Sequence, residues 1–418
     1  MAPRGGCAAW AAAVIALIIA GGALCLLLTY KVGPIYSALR TGAAAHHDAS
    51  TSTKTQAIAG GHRDFLFDEI VDHATIKCRA FTVGGDQSYK SIVAIEPRID
   101  TRYVHHMKLH WCRNMQYVML HADGAARKCG TPPSMSSAGC NHVFVWFPGV
   151  ERVDFPPGTG LPVGGGPGEL KVAVLEIRYR DVPSSSSDEI RDRSGLRLIY
   201  SRKPVQHTVG LLSIGNPFPS PEARMTIPAG KARFNESFTC PSTCTATFPT
   251  RLSVFASLLH AHSHAHAMQT YANRPDFLGH LPDFAKTVSS VKAFDWHRQT
   301  FASVNFEIEA GDRLLVRCSY ATRGEHSSTK FGMSNAEEMC IDFLMYYPRM
   351  ADVAMCGYAG RAPADSGGGD LMYCGGAEKK AAGGEELFHT HGPKHHGHGE
   401  YSSAEPGGDH GHDEHRAG

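Results

Sequence analysis

From residue 74 to 347 the chain is a succession of short apolar runs, and none has the periodicity of a long amphipathic helix. Strand-like runs fall at 74–83, 91–95, 103–111, 142–147, 172–179 and 195–200. A Gly/Pro-rich loop at 156–168 and a serine loop at 183–188 separate some of them. The second half repeats the style at 225–228, 234–239, 302–308, 313–320 and 339–347, with Gly311-Asp312 as a turn. Many short strands punctuated by turn residues predict an all-β chain of two jelly-roll-like β-sandwich domains. A length of 418 residues suits that domain count. Pro217, Pro219 and Pro221 mark a boundary, giving an N-terminal domain at 65–216 and a C-terminal one at 217–360.

The two ends differ from this core. Residues 11–28 are nearly all apolar, flanked by Arg4 and Lys31, and such a run is long enough to span a bilayer. It ends Leu28-Thr29-Tyr30-Lys31, a poor cleavage site. Residues 1–31 therefore read as a signal anchor whose transmembrane helix meets the membrane over 6–30. Residues 32–64 are rich in Ala, Ser, Thr and Gly and read as a stalk. Residues 361–418 read as a disordered tail by composition. It contains His389, His391, His395, His396, His398, His410, His412 and His415, which suit either loose metal binding or a solvated surface.

There are twelve cysteines. Cys7 and Cys25 lie in or beside the apolar run. Cys78, Cys112, Cys129, Cys140, Cys240, Cys244, Cys318, Cys340, Cys356 and Cys374 are dispersed through the rest. That reads as a disulfide framework formed in the secretory lumen or at the cell surface. The Cys240–Cys244 spacing also suits a zinc knuckle, but no second close pair follows it. The glycosylation sequon Asn235-Glu236-Ser237 fits the same compartment. A net charge of +1 argues against nucleic-acid binding.

The chemistry concentrates in histidine. His260, His262, His264 and His266 alternate along one stretch, and a strand continued through them would put all four on one face. Buried imidazoles need partners, and neutral imidazole is a good ligand for copper, zinc and iron. A second pair stands at Tyr103-Val104-His105-His106-Met107, and a third element is Asn335-Ala336-Glu337-Glu338-Met339-Cys340 followed by Tyr346-Tyr347-Pro348.

Together with Ala256-Ser257-Leu258-Leu259-His260-Ala261-His262, these resemble the copper type II, ascorbate-dependent monooxygenases. The collinear set continues through Ser194-Gly195-Leu196-Arg197-Leu198, Met225-Thr226-Ile227-Pro228-Ala229, Cys240-Pro241-Ser242-Thr243-Cys244, Ala310-Gly311-Asp312 and Arg317-Cys318-Ser319-Tyr320. It covers roughly residues 70–356 and is closer to the amine-hydroxylating branch. Leu258 stands where the peptide-amidating branch has an arginine, which disfavours a peptide-glycine substrate.

The resemblance implies two copper sites, one per sandwich, separated by a solvent-filled cleft, with ascorbate as electron donor and dioxygen and a small molecule as substrates. The copper at which substrate is hydroxylated would be held by His260, His262 and Met339, with Met333 a weaker substitute. The electron-transfer copper would be held by His105, His106 and a third histidine. At that third position the chain has Arg178, within Leu175-Glu176-Ile177-Arg178-Tyr179. A guanidinium has no lone pair to offer a metal. Three readings follow: His110, His142 or His207 completes the site; the site works with two ligands; or the chain is a non-catalytic copper-binding descendant. The resemblance also pairs Cys78 with Cys129, Cys112 with Cys140, Cys240 with Cys356, Cys318 with Cys340, and Cys244 with Cys374.

Overall fold

The computed structural model describes residues 61–375 and 388–389, except 72–75, 113–123, 130–139, 183–189, 217–224, 275–285, 362–369 and positions 85, 87, 181, 333, 335 and 352. The segment expected to be a signal anchor and most of the one expected to be a stalk lie outside the described residues. No helix among the described residues is long and apolar enough to cross a membrane.

The chain is built almost wholly of strands, with one helical turn at Ser242–Thr245 among the described residues. In the first half a five-stranded sheet has the order Arg127–Lys128, Ile76–Thr82, Val172–Tyr179, Val104–Cys112, Cys140–Trp146. One face packs on a six-stranded sheet that includes His62–Leu66, Ser91–Arg98 and Gly195–Ser201. Phe65 meets Phe81 edge to face across this layer, and Arg79 donates to the carbonyls of Leu66 and Phe67. The strand His62–Leu66 begins inside the segment assigned to the stalk.

The second half pairs a seven-stranded sheet with a four-stranded one. The larger runs Ala302–Ile308, Leu252–His260, Ile341–Tyr347, Gly210–Gly215, Met355–Arg361, Asp370–Gly375, Phe388–His389. The smaller runs Phe234–Cys240, Arg313–Tyr320, Ala265–Asn273, Lys286–Val291. Two expected boundaries move. Gly210–Gly215 pairs with Ile341–Tyr347, so the chain has entered the second half before the expected break at 216/217. The apolar run Leu211-Leu212-Ser213-Ile214 makes it a central strand. Asp370–Gly375 and Phe388–His389 carry the same sheet into the segment expected to be a disordered tail, and the Cys244–Cys374 bridge ties it down.

The central strand of the seven-stranded sheet, Ile341–Tyr347, is buried on both faces. Ile341, Phe343 and Met345 join the first-half core, while Leu344 and Tyr346 join the second-half core. This explains a strand apolar at nearly every position, where a half-exposed strand would alternate. Its one charge, Asp342, is fully buried and accepts from Ser257 (2.7 Å), Thr270 (2.6 Å) and Ser289 (3.0 Å). Those hydroxyls come from both sheets. They offset a desolvation that raises the Asp342 pKa.

A bulge sets which way the next strand faces. The register of Leu252–His260 against Ile341–Tyr347 shifts between Val254 and Ala256, leaving Phe255 as the extra residue. Leu252 and Val254 face the second-half core, and Ala256 and Leu258 face the first half. His260 follows at the same period-2 spacing.

The five disulfides among the described residues are those implied by the resemblance: Cys78–Cys129, Cys112–Cys140, Cys240–Cys356, Cys244–Cys374 and Cys318–Cys340. The zinc-knuckle reading of Cys240 and Cys244 is excluded, because each is bonded elsewhere. Asn235 is exposed on the strand Phe234–Cys240.

Candidate metal centre

The alternating histidines do not share one strand face. The strand ends at His260, the chain turns at Ser263-His264, and Ala265–Asn273 runs in the four-stranded sheet. One buried carboxylate organises this turn. Glu338 Oε2 accepts the backbone N–H of His262 at 2.9 Å and of Met339 at 3.3 Å. Its Oε1 accepts the N–H of His264 at 2.6 Å and faces His264 Nδ1 at 3.2 Å. Glu338 thus joins the His260–His264 segment to the Met339 segment, 76 residues away in sequence at the His262 contact. Hydrogen bonds to Glu338 and Glu325 raise the His264 pKa to about 9. His264 is committed to those carboxylates, and His266 has a buried Nδ1 with no hydrogen-bond partner among the described residues.

His260 and His262 are set up alike. His260 Nδ1 lies 2.8 Å from Gln299 Oε1, and His262 Nδ1 lies 2.7 Å from the Glu337 carbonyl. Both partners are acceptors once the Gln299 side-chain nitrogen is spent on the Trp296 carbonyl. Each Nδ1 must therefore carry the proton, which leaves each Nε2 with a bare lone pair. The two rings sit 5.5 Å apart, and His260 stacks on Phe147 at 3.9 Å. Burial holds His260 far below the usual imidazole range, in its neutral, metal-binding form. Met339 is buried in the same region, its carbonyl held by the Tyr320 hydroxyl at 2.9 Å and its chain neighbour Cys340 bridged to Cys318. Met333 lies outside the described residues.

His105 and His106 lie on the strand Val104–Cys112, where a register shift against Val172–Tyr179 makes His105 a bulge residue. Both rings can therefore turn to the same side, and their Nδ1 atoms are 3.1 Å apart. His106 Nε2 faces Glu176 Oε1 at 3.2 Å, which again leaves Nδ1 as the donor atom. Burial pushes the His106 pKa down to about 4 and that of His105 lower still. Arg178 lies directly across the ladder from His106, and its charge further disfavours protonation of both rings.

None of the three proposed substitutes joins this pair as a third ligand. His110 Nε2 bonds Glu176 Oε2 at 3.1 Å, His142 Nε2 reaches Ser213 Oγ at 2.7 Å, and exposed His207 stacks on Tyr347 at 5.7 Å. Instead, sequence reasoning missed the roles of Glu176 on the strand Val172–Tyr179, Gln299 in a loop and Glu338 at an isolated bridge, which hold the histidine segments from afar in sequence. A buried acid in the apolar strand Val172–Tyr179 was the one signal available. Glu176 is penalised by burial, yet Lys108 at 3.2 Å and the His106 and His110 rings keep its pKa well below the ordinary carboxylate value.

The expected solvent-filled cleft between the two histidine sets is absent at this point. The His105 and His262 rings are 6.3 Å apart, and His105, His106, His260 and His262 are 7%, 4%, 3% and 5% exposed. The cause is the apolar layer that runs through the junction, where Phe147 stacks on His260 and packs on Phe343 at 5.9 Å. A separate groove of about 410 Å³, lined by residues including Val150, Phe155, Phe255, Phe301 and Val304, holds none of these histidines.

The donor set fits copper. Two imidazoles with bare Nε2 atoms suit copper(I), and the buried Met339, whose segment Glu338 ties to the same turn, could add the soft sulfur that ion favours. The His105–His106 pair offers two nitrogens on one side and no third.

Comparison with known proteins agrees. Residues 67–186 match the family description "Copper type II ascorbate-dependent monooxygenase, N-terminal domain", and 208–364 match the C-terminal domain of the same family. The human "DBH-like monooxygenase protein 1" is 31% identical over 291 residues, covering 66% of this chain and 45% of that protein. "Dopamine beta-hydroxylase" of Canis lupus familiaris is 26% identical, covering 67% and 44%, and "Tyramine beta-hydroxylase" of Caenorhabditis briggsae is 27% identical, covering 63% and 43%. The chain spans less than half the length of these relatives.

Proposed function

The chain belongs to the copper type II, ascorbate-dependent monooxygenase family, and from that premise we propose that it hydroxylates a small amine-like molecule. The overall change is insertion of one oxygen atom of dioxygen into a substrate C–H bond. The other oxygen leaves as water, and ascorbate supplies the two electrons. Copper would be held at His260, His262 and Met339, and at His105 and His106. When bound, it supplies the one-electron chemistry that dioxygen reduction requires.

The carrying observation is that Gln299 and the Glu337 carbonyl fix His260 and His262 with their Nε2 lone pairs free. Partners of this kind lock ring orientation and raise ligand basicity. Glu338 holds the methionine segment to the same turn, and Phe147 and Phe343 keep bulk water from the His260 ring. The amine preference rests on the amine hydroxylases among the relatives and on Leu258. The bridges support a secretory lumen or cell-surface location, and the apolar N-terminal run supports a membrane anchor there. Ascorbate-dependent oxygen consumption by the copper-loaded full-length chain tests this, with a panel of phenethylamines as substrates. Stoichiometric hydroxylated product is expected; copper uptake with no product would overturn the enzymatic reading.

Arg178 favours one alternative, a non-catalytic copper-binding descendant. It stands across from His106 where the family places a ligand. Replacing it with histidine discriminates, because a silent chain gains no turnover from a repaired electron-transfer site unless the rest of the machinery is intact.

A further inference from the structure

We propose that His110 and His142 form an additional site that binds one copper(I) ion between their rings. These residues belong neither to the His260 set nor to the His105–His106 pair. They face each other across adjacent strands, with His110 in register with His142. Their ring centroids are 6.1 Å apart. Two imidazoles on opposite sides of one ion, each at about 2 Å, come to roughly 6 Å between rings once the ring radii are added.

A carboxylate partner places the His110 proton. Glu176 Oε2 accepts from His110 Nε2, so His110 Nδ1 carries the lone pair. That atom is buried and has no hydrogen-bond partner among the described residues. A buried acceptor without a partner is destabilising, and a soft cation would satisfy it. On the other side, His142 Nε2 lies 2.7 Å from Ser213 Oγ, and in the tautomer in which Nε2–H donates to that hydroxyl, Nδ1 of His142 holds the lone pair. His142 stays neutral, because burial and the neighbouring His110 push its pKa down to about 3. Both residues are more than nine-tenths buried, and Phe343 closes the site edge-on to His142 at 6.0 Å. Two imidazoles in a dry setting suit a monovalent soft ion that accepts two-coordination.

The site is also connected. Glu176 bridges His110 and His106 through its two oxygens. His106 touches His105, and His105 adjoins His262. Imidazoles and one carboxylate thus form an unbroken line from the new pair to the residues proposed for hydroxylation. Ser213 comes from the seven-stranded sheet, so the ion would sit where the two halves meet.

The choice of copper rests on the family reading, whereas the vacant lone pairs do not. The test uses the full-length chain with its tail histidines, from His389 onward, replaced by serine. Copper(I) bound per chain is counted in competition with a colorimetric chelator, and X-ray absorption reads the ligands. His110→Gln and His142→Gln keep a donor near the Nε2 position for Glu176 and Ser213 but remove the Nδ1 lone pair. Each should lower the count by one ion, and the copper–sulfur signal from Met339 should persist. Urea midpoints matching the parent confirm folding. An unchanged count in both folded variants overturns the site. Failure of the hydroxylase reading looks different: the parent then shows no copper–sulfur signal, whatever the two variants do.

Discussion

Gln299 and the Glu337 carbonyl set which ring nitrogen of His260 and His262 is bare, although neither need touch a metal. Replacing Gln299 with leucine removes the acceptor that holds the His260 Nδ1 proton. Copper(I) affinity at that centre should fall by about 10–100-fold, measured by chelator competition; an unchanged affinity would show that the tautomer needs no support. Arg178→His places an imidazole across from His106. Copper binding at the His105–His106 pair should tighten and ascorbate-driven turnover should rise, read by titration and oxygen uptake on the same preparation. At this scale the candidate imidazole and thioether donors were marked in the sequence by their motifs and the family resemblance. Their supports were not. Gln299 is 39 residues from His260, and Glu338 is 76 from His262, and only folding brings them together. Arg178 drew the attention in that strand, but it is Glu176, two residues before it, that bonds His106 and His110.

Strands were the most legible elements, since alternation and turn residues mark them locally. The expected runs at 172–179, 302–308 and 313–320 coincide with Val172–Tyr179, Ala302–Ile308 and Arg313–Tyr320. The histidine stretch misled because its alternation continues through a turn. What ends that strand is the Glu338 carboxylate, which takes the backbone N–H groups of His262 and His264. The bulge at Phe255 was equally invisible, as nothing in Val254-Phe255-Ala256 announces an extra residue. The bridge Cys318–Cys340 closes a short loop, with a sequence separation of 22, just before Ile341–Tyr347. Replacing both cysteines with serine should cost about 3 kcal/mol in urea unfolding. It should also weaken copper at Met339, because the segment presenting that side chain loses an anchor; a stable variant with parental affinity would contradict this.

For the whole molecule, the central fact is the strand Ile341–Tyr347, buried on both faces, so that the two halves share a junction lined by buried histidines. That was not legible: the sequence suggested two sandwiches facing across solvent, because each half reads as complete by itself. The junction has a signature in pH. In the folded metal-free chain, burial keeps His106 neutral down to about 4 and His142 down to about 3. Unfolded, both would protonate near pH 6.5. Below about pH 6.5 the unfolded state therefore binds more protons, and stability must fall as the pH drops towards 4. His264 acts in a different window: its contribution is complete below about 6.5 and is lost as pH rises through about 9. The urea midpoint of the metal-free protein should thus decline between pH 7 and pH 5; a midpoint that holds or rises would mean the histidines are not buried as described.

The most direct test of the proposed hydroxylation centre is copper K-edge X-ray absorption on the reduced, copper-loaded full-length chain with the tail histidines replaced, compared with the same chain carrying Met339→Leu. A copper–sulfur contribution alongside imidazole scattering, present in the first and missing from the second, is the predicted result. A spectrum without sulfur, or one that Met339→Leu leaves unchanged, would contradict the assignment of His260, His262 and Met339 as one copper centre.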